Sequence, residues 1–216
     1  MNVTLKSTTV ALALLAVFSG AQATTLGINS PTTSIDIVAS SFGGTLLDTA
    51  ITQLSNISYS GTARVAVYDT GSGLDFYYQF SNNASSTNGV ERFTGFNFSS
   101  LGATPVSVFQ TASAFGIFAA GTESADTADR TDMGVIGINF IPNTNSKINP
   151  GTTSFTEIIR TNATAYTAGN FGLLDGIGSN AAGFATAVPE PDSYAMLLAG
   201  LGIIGTIIRR RNVQKG

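Results

Sequence analysis

Between Ser34 and Phe184 the chain alternates apolar and polar positions in short runs, divided by Gly, Asn, Ser and Pro. Every second side chain of a strand shares a face, so runs of this kind predict half-buried strands. They fall at Ile35–Ser40, Thr62–Asp69, Leu74–Phe80, Glu91–Phe98, Pro105–Thr111, Phe115–Ala119, Gly134–Ile141 and Ser154–Thr161. Thr70-Gly71-Ser72-Gly73 predicts a hairpin between the second and third. In the third, Leu74, Phe76, Tyr78 and Phe80 share a core face, whereas Asp75, Tyr77 and Gln79 fall on a face expected to be largely wet. Pro150-Gly151 predicts a turn into the last run, with Phe155 and Ile159 facing the core and Arg160 bonding carbonyls near Asn162. Thr45–Leu54 is expected to form one or two helical turns, and Gly169–Ala187 a terminal strand followed by a linker. About eight runs with turn chemistry between them, and no internal repeat, predict an all-β, antiparallel β-sandwich or jelly-roll-like domain.

Two apolar segments lie outside this pattern. In residues 1–23, Lys6 precedes the apolar stretch Val10–Phe18, and Ala21-Gln22-Ala23 supplies the small-x-small site of a signal peptide, predicting cleavage between Ala23 and Thr24. Near the other end an uncharged apolar run, Tyr194–Ile208, is followed at once by Arg209, Arg210 and Arg211. That order predicts a transmembrane helix over 194–208 with its cations held on the cytoplasmic side, because moving them across a bilayer is costly. Such a helix spans roughly 22 Å, short of the ~30 Å hydrocarbon core, and so suits a temporary anchor in the inner membrane. The expected organisation is a signal peptide over 1–23, an ectodomain over 24–184 and a sorting segment over 185–216.

Composition narrows the chemistry. The 216-residue chain contains no Cys, His or Trp. A Ser-His-Asp triad, a cysteine nucleophile and a histidine- or thiolate-ligated metal are therefore excluded, leaving carboxylate pairs, lysine-activated nucleophiles and oxygen-ligated Ca²⁺. Residues 24–187 carry eleven carboxylates against five cations, a balance that repels nucleic acid.

The residues AVPEPDSYAMLLAGLGIIGTIIRRRNVQKG at the C-terminal end place Pro189-Glu190-Pro191, a short polar step, a Gly-rich apolar run and an arginine cluster in sequence. This order resembles the PEP-CTERM sorting signal of Gram-negative bacteria that make exopolysaccharide. The resemblance implies recognition by exosortase, an integral-membrane transpeptidase-like enzyme. It also implies processing near Pro189, Glu190 and Pro191, and transfer or release of the upstream domain to the cell surface or matrix, including a biofilm. Asp192 stands where the family commonly has a small neutral residue. Residues 147–179 also resemble a segment of many PEP-CTERM proteins, a likeness that carries no activity with it.

Within the ectodomain, Asp69-Thr70-Gly71-Ser72 copies the aspartic-protease loop, but a second Asp-Thr-Gly is missing and a hairpin turn accounts for the same residues. Glu123, Asp126, Asp129 and Asp132 recur every third residue and form a weak Ca²⁺ candidate with Arg130 in their midst; a solvated acidic loop explains them better. Tyr59, Tyr68, Tyr77 and Tyr78 offer aromatic surface for sugar stacking, with Tyr77 expected to point outward. The sequence thus predicts a structural or exopolysaccharide-associated surface protein with no catalytic residues, no cofactor and no nucleic-acid partner. The alternative is a carbohydrate-binding module of the same architecture, and a weaker one a carboxylate-pair glycosidase.

Overall fold

The computed structural model describes residues 23–38, 43–141, 147–187 and position 201. The expected signal peptide except Ala23, the tripeptide 189–191, the apolar run 194–208 except position 201, and the arginines 209–211 lie outside the described residues. Among the described residues no helix is long and apolar enough to cross a membrane.

The described chain builds thirteen strands: β1 Thr24–Leu26, β2 Ser30–Ser34, β3 Asp36–Ile37, β4 Thr45–Ser55, β5 Ser60–Asp69, β6 Leu74–Asn82, β7 Arg92–Asn97, β8 Val106–Thr111, β9 Thr127–Arg130, β10 Val135–Asn139, β11 Thr156–Arg160, β12 Tyr166–Asp175 and β13 Ile177–Thr186. A short 3-10 turn, Ser99–Leu101, follows β7. One sheet runs β1-β8-β11-β6-β5-β4, with β3 joining β8 in parallel; the other runs β13-β12-β7-β10-β9-β2. Apart from β3 the ladders are antiparallel. The expectation of an all-β, antiparallel two-sheet body is met.

Inner faces of the two sheets meet in one core. Val65, Phe76, Tyr78, Phe80, Val108 and Ile159 come from the first sheet; Phe93, Ile136, Ile138, Phe171 and Leu173 come from the second. Tyr78 of the first sheet meets Phe171 of the second edge-on at 5.4 Å, and Phe93 extends the chain of rings to Phe140 at 4.9 Å. Each buried aromatic contributes about 1.5–3 kcal/mol by leaving water, and such ring pairs add about 0.5–1.5 kcal/mol. With no cysteine available, these contacts join the sheets.

The predicted hairpin at 70–73 forms. Asp69 pairs with Leu74, the Thr70 N–H donates to the Gly73 carbonyl at 3.0 Å, and Gly71 takes φ 79°, a conformation Gly adopts without a Cβ penalty.

Three local expectations change. Thr45–Leu54 belongs to β4, not to a helix: Ala50, Thr52 and Leu54 turn inward at period two while Thr49, Ile51 and Gln53 stay exposed. β-branched residues and pairing with β5 over ten positions decide the conformation. Leu47 is the surplus residue of a bulge between Leu46 and Asp48. Gly169–Ala187 is no strand-plus-linker, because the hairpin of β12 and β13 continues to Thr186. Phe115–Ala119 forms a turn closed by a Phe115–Phe118 bridge rather than a strand.

That turn explains the largest departure. Instead of being wet, the outer face of β6 is covered: Tyr77 is buried with Tyr68, Ala66, Phe109, Phe118, Ile158 and Val38 in a second apolar cluster. Asp75 and Gln79 on the same face are also buried. Gln79 is satisfied by the Ala119 N–H and carbonyl. Asp75 receives Arg160, its cross-strand neighbour, through both carboxylate oxygens. Arg160 therefore serves Asp75 rather than the carbonyls near Asn162, and it also lies 5.0 Å over the Phe109 ring. Ile159 faces the core as expected, whereas Phe155 is half-buried and lies outside both clusters.

Candidate functional site

Strand direction gives the sandwich two different ends. β13 runs from Ile177 to Thr186, and the chain leaves the body at Ala187; this is the tail end. The turn at 70–73, the 3-10 turn, residues 131–134 and residues 161–165 gather there by register. The opposite, far end holds the β4–β5 and β12–β13 turns, the start of β7 and the end of β10. Ten residues of β13 separate the two by about 30 Å.

Charged side chains converge at the far end. Glu91 precedes β7, Arg92 opens it, Asn139 closes β10, and Asp175 closes β12. Arg92 grips Asp129 with two bonds, Nη1 to Oδ2 at 2.7 Å and Nη2 to Oδ1 at 2.9 Å, and also donates to the side-chain amide oxygen Oδ1 of Asn139. Gly137 makes the arrangement fit, since a Cβ there would meet Arg92 Nη2 at 1.7 Å. Burial pushes the Asp129 carboxyl up, but bonds from Arg92 and Asn139 and the Arg92 charge outweigh it and hold the group below its ordinary range.

Beside this cluster Lys147 bridges Glu91 at 2.5 Å and Asp175 at 3.3 Å. The bond to Glu91, and after it Asp175, hold the Lys147 ammonium above its ordinary range despite some loss of water. Asp175 also accepts from the Ser58 hydroxyl. The cleft between the clusters measures about 390 Å³ and is lined by Glu91, Arg92, Asn139, Ile141, Leu174 and Gly176. A second hollow of about 210 Å³ is walled by residues 55–60 around the β4–β5 turn and by the Ser85–Thr87 loop, and its Ser58 is the residue bonded to Asp175. Chemically, the far end offers fixed donors and acceptors around small apolar patches.

The candidates read from sequence are placed as follows. Glu123, Asp126, Asp129 and Asp132 do not converge, because β9 is extended between them: Asp126 precedes it at the far end and Asp132 follows it at the tail end, about 20 Å along. Among the described residues no three acids are grouped to hold a metal ion. Arg130, in the midst of that sequence, turns into the body. It is buried and donates to the carbonyls of Thr104 at 2.6 Å, Gly102 at 3.2 Å and Leu26 at 3.4 Å. All four tyrosines are buried rather than offered to solvent, Tyr77 included. Tyr59 donates to the Leu173 carbonyl and Tyr78 to that of Phe184. Burial removes the proposed stacking face, and it raises the phenol pKa of each of the four. Asp69 to Ser72 form the hairpin turn, with Asp69 Oδ1 accepting from the Gly71 N–H.

Sequence reading missed the far-end cluster. Its members are scattered from Glu91 to Asp175 and meet only through sheet order. One local signal exists: glycine inside the strand sequence VIGIN marks a close approach, here by a guanidinium.

At the tail end, the Ala187 N–H donates to the Ala165 carbonyl at 3.0 Å, and Thr186 shares a hydroxyl bond with Ser100 at 2.5 Å. From there, residues 187–211 match the family model described as the PEP-CTERM protein-sorting motif. The chain carries a PEP-CTERM sorting motif. Neither the curated proteins nor the solved structures yield a match. The PEP-CTERM motif and the paired strands meet at Ala187, with no intervening linker. The expected signal-cleavage residues lie at the other terminus of the body: Ala23 packs against the second apolar cluster and Thr24 begins β1.

Proposed function

We propose that this is an exported surface protein whose all-β body is delivered by exosortase to the cell surface or extracellular matrix, where it serves a structural, exopolysaccharide-associated role without catalysis. The observation carrying this reading is the PEP-CTERM motif over residues 187–211, joined directly to an all-β body. In this reading the inner membrane holds the chain only until processing, Pro189, Glu190 and Pro191 are substrate positions, and Arg209, Arg210 and Arg211 mark the cytoplasmic side. Fusing residues 185–216 to an unrelated exported reporter tests the sorting half. The reporter is expected at the inner membrane of an exosortase-bearing host and then, in the medium, with a C-terminus near Pro189–Pro191. A reporter that never reaches the membrane removes the reading.

The far-end cleft favours a second reading, a carbohydrate-binding module. Arg92, Glu91 and Asn139 supply hydroxyl partners while Leu174 and Ile141 supply apolar contact. Retention of the processed body on the producer's own polysaccharide, lost in Arg92→Ala, separates this reading from a purely structural role. A glycosidase has less support: the far-end carboxylates Glu91 and Asp175 are both engaged by Lys147, and Asp175 also by Ser58, rather than left to face a glycosidic bond.

A further inference from the structure

A membrane-embedded enzyme that cuts a peptide bond must accommodate the residues preceding that bond in its own cleft, with their backbone free of other partners. In this chain those residues belong to β13. Ala185 and Thr186 pair with Thr167 and Tyr166 of β12. Phe184, Ala185 and Thr186 are buried, and the Phe184 carbonyl accepts the Tyr78 hydroxyl from the core at 3.0 Å. The Phe184 ring meets Tyr166 edge-on at 5.6 Å. The Ala187 N–H is occupied by Ala165, and the Thr186 hydroxyl by Ser100. Pro189 follows Ala187 by two positions, a reach of at most about 7 Å.

We infer that the tail-end third of β13 is a gate: residues 184–187 must peel from β12 and Ser100 before the sorting motif is processed. The inference rests on the exosortase reading above and adds a regulation to it. Processing speed then follows the small population in which the strand end is open, so cleavage senses how firmly that strand end is docked on the body. The rest of β13 is anchored independently, through Asn56 to Ser179 and Thr52 to Ala182, so the opening stays local.

The full chain in an exosortase-bearing host supplies the test. It contains no cysteine, so Thr167→Cys with Ala185→Cys introduces a single cross-link at a Cα-paired position of the hairpin. Tyr166→Cys with Thr186→Cys provides a second pair should the first fail to fold or to oxidise. The oxidised chain is expected to be processed about tenfold or more slowly than the parent, and reduction restores the rate. Inserting about eight Gly and Ser residues between Ala187 and Val188 is expected to return the oxidised chain to at least parental speed. Processing of the oxidised chain at the parental rate overturns the gate, as does a delay that the insertion leaves untouched. If neither the parent nor the insertion variant is processed, the sorting reading itself falls and the gate with it.

Discussion

The two ends of the sandwich solve the same problem with different chemistry. At the tail end, strand termini are held mainly by bonds to main-chain carbonyls and between hydroxyls, Arg130 to Leu26, Gly102 and Thr104, Ser100 to Thr186, Ala187 to Ala165, with one ion pair, Arg160 to the fully buried carboxylate of Asp75. At the far end the ties are ion pairs, Arg92 to Asp129 and Lys147 to Glu91 and Asp175. Buried bonds to carbonyls are insensitive to salt and costly to lose, whereas partly exposed ion pairs are screened and individually weak. The end from which the chain departs is thus secured mostly by unscreened bonds, and three of the four ion pairs among the described residues stand toward the other end, about 30 Å away.

Breaking the tail end should have the largest effect. Arg130→Met leaves three carbonyls without their donor and is expected to cost about 3 kcal/mol in urea unfolding, with a loss independent of salt up to 1 M. A salt-dependent loss would contradict the contrast.

Between the ends sits Glu157, on the inner face of β11 beside Tyr78 and Gln110. It is completely buried, neither carboxylate oxygen has a hydrogen-bond partner, and burial holds its carboxyl well above the ordinary range. The folded state keeps this proton after the unfolded chain has released it. Below the ordinary glutamate pKa both states are protonated and nothing is lost. As pH rises above it, stability falls by up to roughly 1.4 kcal/mol per pH unit until the folded group itself ionises. Glu157→Gln should remove that decline, so the stability difference between variant and parent is expected to widen from pH 5 to pH 7 in parallel denaturant titrations. A constant difference would mean that Glu157 ionises alike in both states.

At the far end Lys147→Ala is expected to cost about 1 kcal/mol at low salt and less at 1 M, since its side chain retains 30% exposure. Smallest of all is the expected response to calcium. Because the acids from Glu123 to Asp132 are spread along β9 or already bonded, millimolar Ca²⁺ should leave the thermal midpoint unchanged.

How much of this was legible depends on how local the cause is. Alternation in Leu74–Phe80 and the turn residues at 70–73 report contacts a few positions away, and the strand and hairpin form as read. The same alternation assigns Asp75, Tyr77 and Gln79 to an outer face but carries no information about what covers it; residues around Phe118, some forty positions on, do so. In β4, two adjacent leucines and an exposed Ile51 imitate helical spacing, because an edge strand and its bulge disturb period two. The far-end cluster needs the order of β7, β10 and β12 in one sheet, which no single segment specifies. By contrast, the PEP-CTERM motif is a contiguous address and was readable in full.

The extra leucine in β4 bears on how copies of this chain would meet at high concentration. Leu46, Leu47 and Ile51 give this outermost strand a greasy rim with no lysine or proline to discourage self-recognition. A straight rim of that sort would let copies zip together into fibrils. One surplus residue bends the template at Leu47, which works against two such rims running in step along their whole length.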